Sequence, residues 1–315
     1  MGALGAALGL GLGVVGGMAL FNAVQDRRAG PLVSEVPGAT RYWPSPLGSV
    51  FCKTLGDGPP LVLLHGFHAG ASSYEMRRQM GPLARHFQVY APDWLGFGLS
   101  DRPAILYTAR VYIDLLEAFM RDVVREPAHV IASSLAGAYV IDVAARVPDL
   151  FRRLILIAPT GLTHLVSEPD EVQAGLRRFV ASPFLGTTAF NLLASPPCLR
   201  YFLARQAYYD PACITDTMLD AYYATSHQPG ARYAPSSFVG GALNRSVKSS
   251  WPRVSHPTLL VWGRDAITTP VTDAEAFLAL RPEARLEIFD NARLLPNDEY
   301  AERFNALAAD FLAAE

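Results

Sequence analysis

The segment Ala128-His129-Val130-Ile131-Ala132-Ser133-Ser134-Leu135-Ala136-Gly137 runs an apolar strand straight into a turn and then a helical stretch. A strand that turns into a helix this sharply leaves no room for bulky side chains two places either side of its apex. Centred on Ser134, those places hold Ala132 and Ala136; centred on Ser133, they hold Ile131 and Leu135, which would collide. The turn therefore presents Ser134. A strand–elbow–helix of this kind holds a serine hydroxyl exposed at the end of a parallel sheet, so it constrains fold class and chemistry together. Alanine in place of the usual flanking glycines leaves less room around a strained backbone.

Four further runs read as buried strands ending in turns. Leu61 to Leu64 leads into His65-Gly66-Phe67, and Gln88 to Pro92 leads into Asp93 and Trp94-Leu95-Gly96-Phe97-Gly98-Leu99-Ser100-Asp101. Arg153 to Pro159 and Pro257 to Gly263 follow, with helical spacing at Ser72–Phe87, Tyr107–Val124 and Leu135–Arg146. Strands alternating with helices imply a mostly parallel, doubly wound α/β sheet. An antiparallel lead-in pair is expected at Thr40–Trp43 and Ser49–Leu55.

These ordered motifs make the chain, over about residues 40–315, resemble the α/β-hydrolase fold. The resemblance implies a Ser134 nucleophile with the backbone N–H groups of Phe67 and Leu135 as oxyanion donors. The dipole of the helix opening at Leu135 would favour the same negative charge. Asp93 and Asp101 match positions that brace a loop, and His65 belongs to its turn.

The resemblance also says where the other catalytic groups should stand. The acid is expected three residues past Gly263, where the chain has Ala266; Asp265, one place early, is the candidate carboxylate. The histidine is expected in the loop after Leu286–Phe289, where the chain has Leu294, and no histidine follows His256. His68, directly after Phe67, is the candidate substitute base, with His227 a more remote one. His86, His129, His164 and His256 read as structural or exposed. Without a base, a serine hydroxyl is a poor nucleophile, and loss of the base costs roughly 10⁶ in kcat in a serine hydrolase.

Between Thr160 and Arg253 the strand pattern disappears into short helical stretches at 171–180, 187–194, 197–207 and 215–225. An insertion here forms a cap, and its many Phe, Leu and Tyr residues supply cap core and part of an apolar pocket. The organisation expected is an N-terminal helix at 1–25, a linker at 26–38, core at 39–159, cap at 160–253 and core at 254–315.

The first segment has no charged side chain through Gln25, and Gly2–Phe21 supplies about the 20 apolar residues a membrane helix needs. Gly5, Gly9, Gly13 and Gly17 recur at every fourth position, a stripe suited to helix–helix association in lipid. Asp26-Arg27-Arg28 follows, and the positive-inside rule places those arginines and the globular part on the cytoplasmic side. The sequence is thus read as a single-pass membrane protein; the other reading is a loose Gly/Ala leader.

At 315 residues, half of them hydrophobic, the chain can bury one large core plus an insertion, and a net charge of −2 gives no reason to expect nucleic acid. Three cysteines at unpatterned spacing suggest neither a disulfide framework nor a zinc site. Nothing requires a metal, nucleotide or flavin. Two function classes result. One is a serine hydrolase of a small apolar ester, thioester or related carbonyl substrate, its activity weak, rerouted or lost. The other is a non-catalytic, membrane-tethered binding or scaffold protein. Cofactor-free lyase or oxygenase chemistry also generally needs the absent histidine.

Overall fold

The computed structural model describes residues 2–314, with side-chain surroundings from Val15 onward. Eight strands form one sheet: β1 (Ala39–Ser45), β2 (Gly48–Leu55), β3 (Pro60–Leu64), β4 (Gln88–Pro92), β5 (Ala128–Ser133), β6 (Phe151–Ile157), β7 (Thr258–Gly263) and β8 (Arg285–Phe289). Their order is β1-β2-β4-β3-β5-β6-β7-β8. The first two pairings (β1 with β2, β2 with β4) are antiparallel, and the rest are parallel.

Period-two alternation divides the interior into two cores. Val62 and Leu64, Val130 and Ala132, Leu154 and Leu156 face one side, against α3 (Ala109–Phe119), α4 (Leu135–Arg146) and α10 (Asp273–Leu280). Leu61, Leu63, Ile131, Ile155 and Ile157 face the other, against α2 (Arg77–Leu83) and α12 (Ala301–Ala313), with the short α11 (Pro296–Glu299) before it. Strands covered on both faces are apolar throughout, which is why these runs are continuous rather than alternating in sequence.

The cap lies between β6 and β7 and comprises α5 (Glu171–Ala181), α6 (Leu185–Leu193), α7 (Pro196–Phe202), α8 (Asp216–Ser226) and α9 (Tyr233–Val239). The last of these was not expected, because Pro235 lies inside it. Pro235 is its third residue, where a backbone N–H has no intrahelical acceptor to lose. Cap aromatics divide as expected into core (Phe190, Tyr208, Tyr223) and cavity wall (Phe202, Tyr222), but Phe179, Phe184, Tyr201 and Tyr209 are exposed.

The N-terminal reading is corrected. A helix, α1, does run over Gly2–Ala29, yet among the described residues no helix is long and apolar enough to cross a membrane. Towards its C-terminal end α1 docks on the cap, while Val15, Leu20 and Val24 stay exposed. Asn22, 8% exposed, donates to Thr188 Oγ1 at 3.1 Å and accepts from Asn191 Nδ2 at 3.0 Å. Gln25 Oε1 accepts from the Tyr223 hydroxyl at 2.5 Å, and the Arg28 guanidinium lies 5.5 Å from the Tyr223 ring centre. These polar anchors bind a protein surface, so the transmembrane helix and the single-pass membrane location are withdrawn. Gly5, Gly9 and Gly13 lie outside the residues whose side chains are described. At Gly17 an added Cβ would meet nothing within 4 Å, so the described structure places no helix against it.

Candidate active site

Ser134 joins β5 to α4 at φ 53° and ψ −124°, a left-handed backbone that costs a non-glycine residue about 1–3 kcal/mol. Two hydrogen bonds hold it there: its N–H donates to Ile157 O at 2.8 Å, and its carbonyl accepts from Gly137 N–H at 3.0 Å. Ala132 and Ala136 are fully buried on either side. Gly137 sits so close to the next strand's exit that a Cβ would stand 3.1 Å from Pro159 Cβ.

Ser134 opens into a cavity of about 380 Å³ under the cap, which Phe67, His68, Glu75, Thr160 and His164 also line. Phe202 and Tyr222 roof it, and Leu294 and Leu295 close one wall. The Phe67 N–H has no acceptor among the described residues, and Leu135, as the first residue of α4, carries one of the helix's orphan N–H groups.

Glu75 was not anticipated. It sits in a short helical turn over Ser73–Met76 and is 3% exposed. Both its oxygens accept the Gly66 N–H, at 3.2 Å each, and the Ser133 hydroxyl hydrogen-bonds it as well. His68 Nε2 stands 3.8 Å from Glu75 Oε2. Burial alone would raise the Glu75 pKa, but His68, His65 and Ser133 together outweigh it and hold the carboxyl below the ordinary range. The imidazole of His68 also stacks on Tyr222, with ring centres 5.1 Å apart and planes at 10°. A Cβ built on Gly66 would stand 3.5 Å from Glu75 Oε2, 3.5 Å from Ser133 Oγ and 3.7 Å from Ser134 Cβ, so these groups converge on one point.

The remaining candidates fall elsewhere. Asp265 is exposed and does not line the cavity, while Ala266 is buried. Arg264 pairs with Asp290 rather than with Asp265. Leu294 does reach the cavity, so the expected histidine place is occupied by an apolar side chain. His227 is buried in the cap, its Nδ1 2.9 Å from Tyr223 O, and does not face the cavity. His164, read as structural or exposed, is exposed and also lines the cavity, with Nε2 3.2 Å from Asp273 Oδ2.

His65 is a structural group. Its Nε2 accepts the Trp94 N–H at 3.1 Å, so its Nδ1–H donates to Gly66 O at 2.7 Å. Burial pushes its pKa down, keeping the ring neutral. Asp93 braces the loop by accepting from Ser73 N–H at 2.6 Å and Leu99 N–H at 2.7 Å. Asp101 Oδ2 accepts the Ser49 N–H at 2.7 Å. Among the described residues, no cluster of three or more His, Cys, Asp or Glu could hold a metal ion.

The sequence profile of the alpha/beta hydrolase family matches residues 61–307, which contain both the elbow and the cap. The chain belongs to the alpha/beta hydrolase family. A relative of this alpha/beta hydrolase is the 2-hydroxymuconate semialdehyde hydrolase of Pseudomonas sp. (strain CF600). It is 26% identical over 266 residues, covering 82% of this chain and 88% of that one. The 2-hydroxy-6-oxo-6-phenylhexa-2,4-dienoate hydrolase of Delftia acidovorans is 28% identical over 275 residues, covering 82% and 89%. Among solved structures, a serine hydrolase involved in carbazole degradation superposes with a TM-score of 0.70 at 25% identity, covering 88% of this chain and 99% of that one.

Proposed function

We propose that this alpha/beta hydrolase is a serine-dependent hydrolase of small apolar carbonyl compounds, with His68, oriented by Glu75, in the role of general base. One observation carries the reading: a buried, ionised carboxylate stands 3.8 Å from a histidine that shares the cavity of Ser134. The names of the relatives support a carbonyl as electrophile, since the Delftia enzyme's substrate carries a 6-oxo group.

In this reading Ser134 Oγ attacks the carbonyl carbon and the N–H groups of Phe67 and Leu135 receive the developing oxyanion. With Nε2–H directed at Glu75, His68 Nδ1 keeps a lone pair, takes the serine proton and returns it to the leaving group. Water then attacks the acyl-serine by the same relay. The Glu75 charge stabilises the imidazolium formed in each half-reaction.

A second reading rests on Leu294. An apolar side chain where the resemblance expects the base would suit a pocket that binds such a compound without turning it over. The two readings separate by treating the protein, Ser134→Ala and His68→Ala with a fluorophosphonate probe. The hydrolase reading expects labelling of the unaltered protein, none of Ser134→Ala, and strongly slowed labelling of His68→Ala. Absence of Ser134-dependent labelling leaves only the binding reading.

A further inference from the structure

Helix α5 turns its apolar side away from the protein. Of its 11 residues only Val180 is buried. Val172, Leu176 and Phe179, at the i, i+4 and i+7 places that share one helix face, are 80%, 45% and 48% exposed. The neighbouring α6 does the same. Its Gly186 packs on the Phe179 carbonyl of α5, and its Thr188 and Asn191 bond α1. Leu185, Leu192 and Leu193 are left facing outward between those two helices, each more than half exposed. Together the two stripes present roughly 600 Å² of apolar surface, close to the apolar share of the about 800 Å² that each partner gives an ordinary interface. Gly175 stands in the middle of α5, where a Cβ would meet nothing within 4 Å. Glycine weakens a helix interior relative to alanine, and no neighbour within the chain requires it here; a second backbone approaching closely would. Glu171 and Arg178 are exposed and seven residues apart, so an acid and a base stand on one flank of the stripe, at its two ends. Among the described residues neither is paired with an opposite charge.

We propose that a second copy of this chain covers the face, with α5 as the contact helix of a two-fold dimer. An axis crossing α5 at Gly175 lays the second α5 antiparallel on the first, and the same patch serves both copies. Val172 then meets Phe179 of the partner subunit, the two helices approach where neither carries a Cβ, and the leucines of α6 widen the contact. Glu171 comes within reach of Arg178 of the partner subunit, and symmetry makes that pair twice. Exposed ion pairs add little affinity, so their part is to fix the antiparallel register while the apolar face supplies the binding. A lipid surface gives no role to an acid and a base at opposite ends of one stripe. The pattern complements itself only against a reversed copy. Nothing in this contact depends on the chemistry at Ser134.

The test is sedimentation velocity of the full-length protein from about 1 to about 50 μM, where a dimer of micromolar Kd is expected to form. Gly175→Leu favours the helix but blocks the close approach, so it should remain a monomer with an undiminished melting temperature. Glu171→Arg and Arg178→Glu should each weaken the dimer about 10-fold, because each sets like charges face to face. Combining the two exchanges the charges and should restore the parent affinity, a result that holds even if Gly175→Leu fails to fold. A monomer at every concentration overturns the proposal, whether or not that monomer binds phosphatidylcholine vesicles. So does a dimer that Gly175→Leu leaves intact, or a charge exchange that does not rescue the single variants.

Discussion

The Gly66 N–H donates to both carboxylate oxygens of Glu75, at 3.2 Å each. That fork ties the residue after His65 to a helical turn nine positions along the chain, and it fixes the carboxylate that His68 faces. A carboxylate with no such anchor would relax towards solvent, and His68 would lose its orientation.

Glu75→Gln keeps the shape and removes the charge. We expect fluorophosphonate labelling of Ser134 to slow about 10²-fold, within the range general-base catalysis contributes. In the proposed relay the two residues act as one unit, so His68→Gln combined with Glu75→Gln should slow labelling little beyond His68→Gln alone. Additive losses in the double variant would separate Glu75 from His68.

Much of this arrangement was legible in the residues, and part of it was not. The strands and the elbow announce themselves because apolar runs and small flanking residues are local properties. Glu75 is invisible for the opposite reason: its meaning comes from Gly66, His68 and Ser133, and by itself it looks like a surface carboxylate opening a helix. A trace existed in the stretch 72–87, where Glu75, Gln79 and Leu83 share a buried face at helical spacing. At the N-terminus, span length and apolar composition fitted lipid, but Asn22 and Gln25 close one face with groups that needed protein partners.

Acid should weaken the fold from about neutrality downward. Burial is the first cause lowering the pKa of His65, His129, His227 and His256, to about 4 for His129. In the unfolded chain these rings take up protons near pH 6.5, whereas the folded protein resists doing so. Their contribution is therefore present above pH 6.5 and lost as pH falls below it; Glu75, also depressed, adds a loss below about 4.5. Urea midpoints measured from pH 8 to pH 4 should fall steadily below 6.5. A midpoint that is flat or rises across pH 7 to 5 contradicts this.

Leu294→His together with Ala266→Asp should place a base and an acid where the family resemblance expects them. Since Leu294 already faces the cavity, hydrolysis of p-nitrophenyl acetate is expected to rise at least about 10²-fold. A folded double variant no more active than the parent would show that the loop does not carry residue 294 to the serine.

The docking of α1 predicts a stability loss on Asn22→Leu. Thr188 and Asn191 would each lose a partner in a buried contact, at a cost of about 1–3 kcal/mol in urea unfolding. An unchanged midpoint would mean that α1 leaves the cap in solution.

The stacking of His68 on Tyr222 has a consequence for the cap. Tyr222 belongs to α8, and Leu294 packs in the same cluster with Tyr222 and Phe202. In the proposed relay the base would thus be carried by the core but aligned by the cap. A chain whose cap swung away would keep its serine in place and lose the alignment of its proton acceptor.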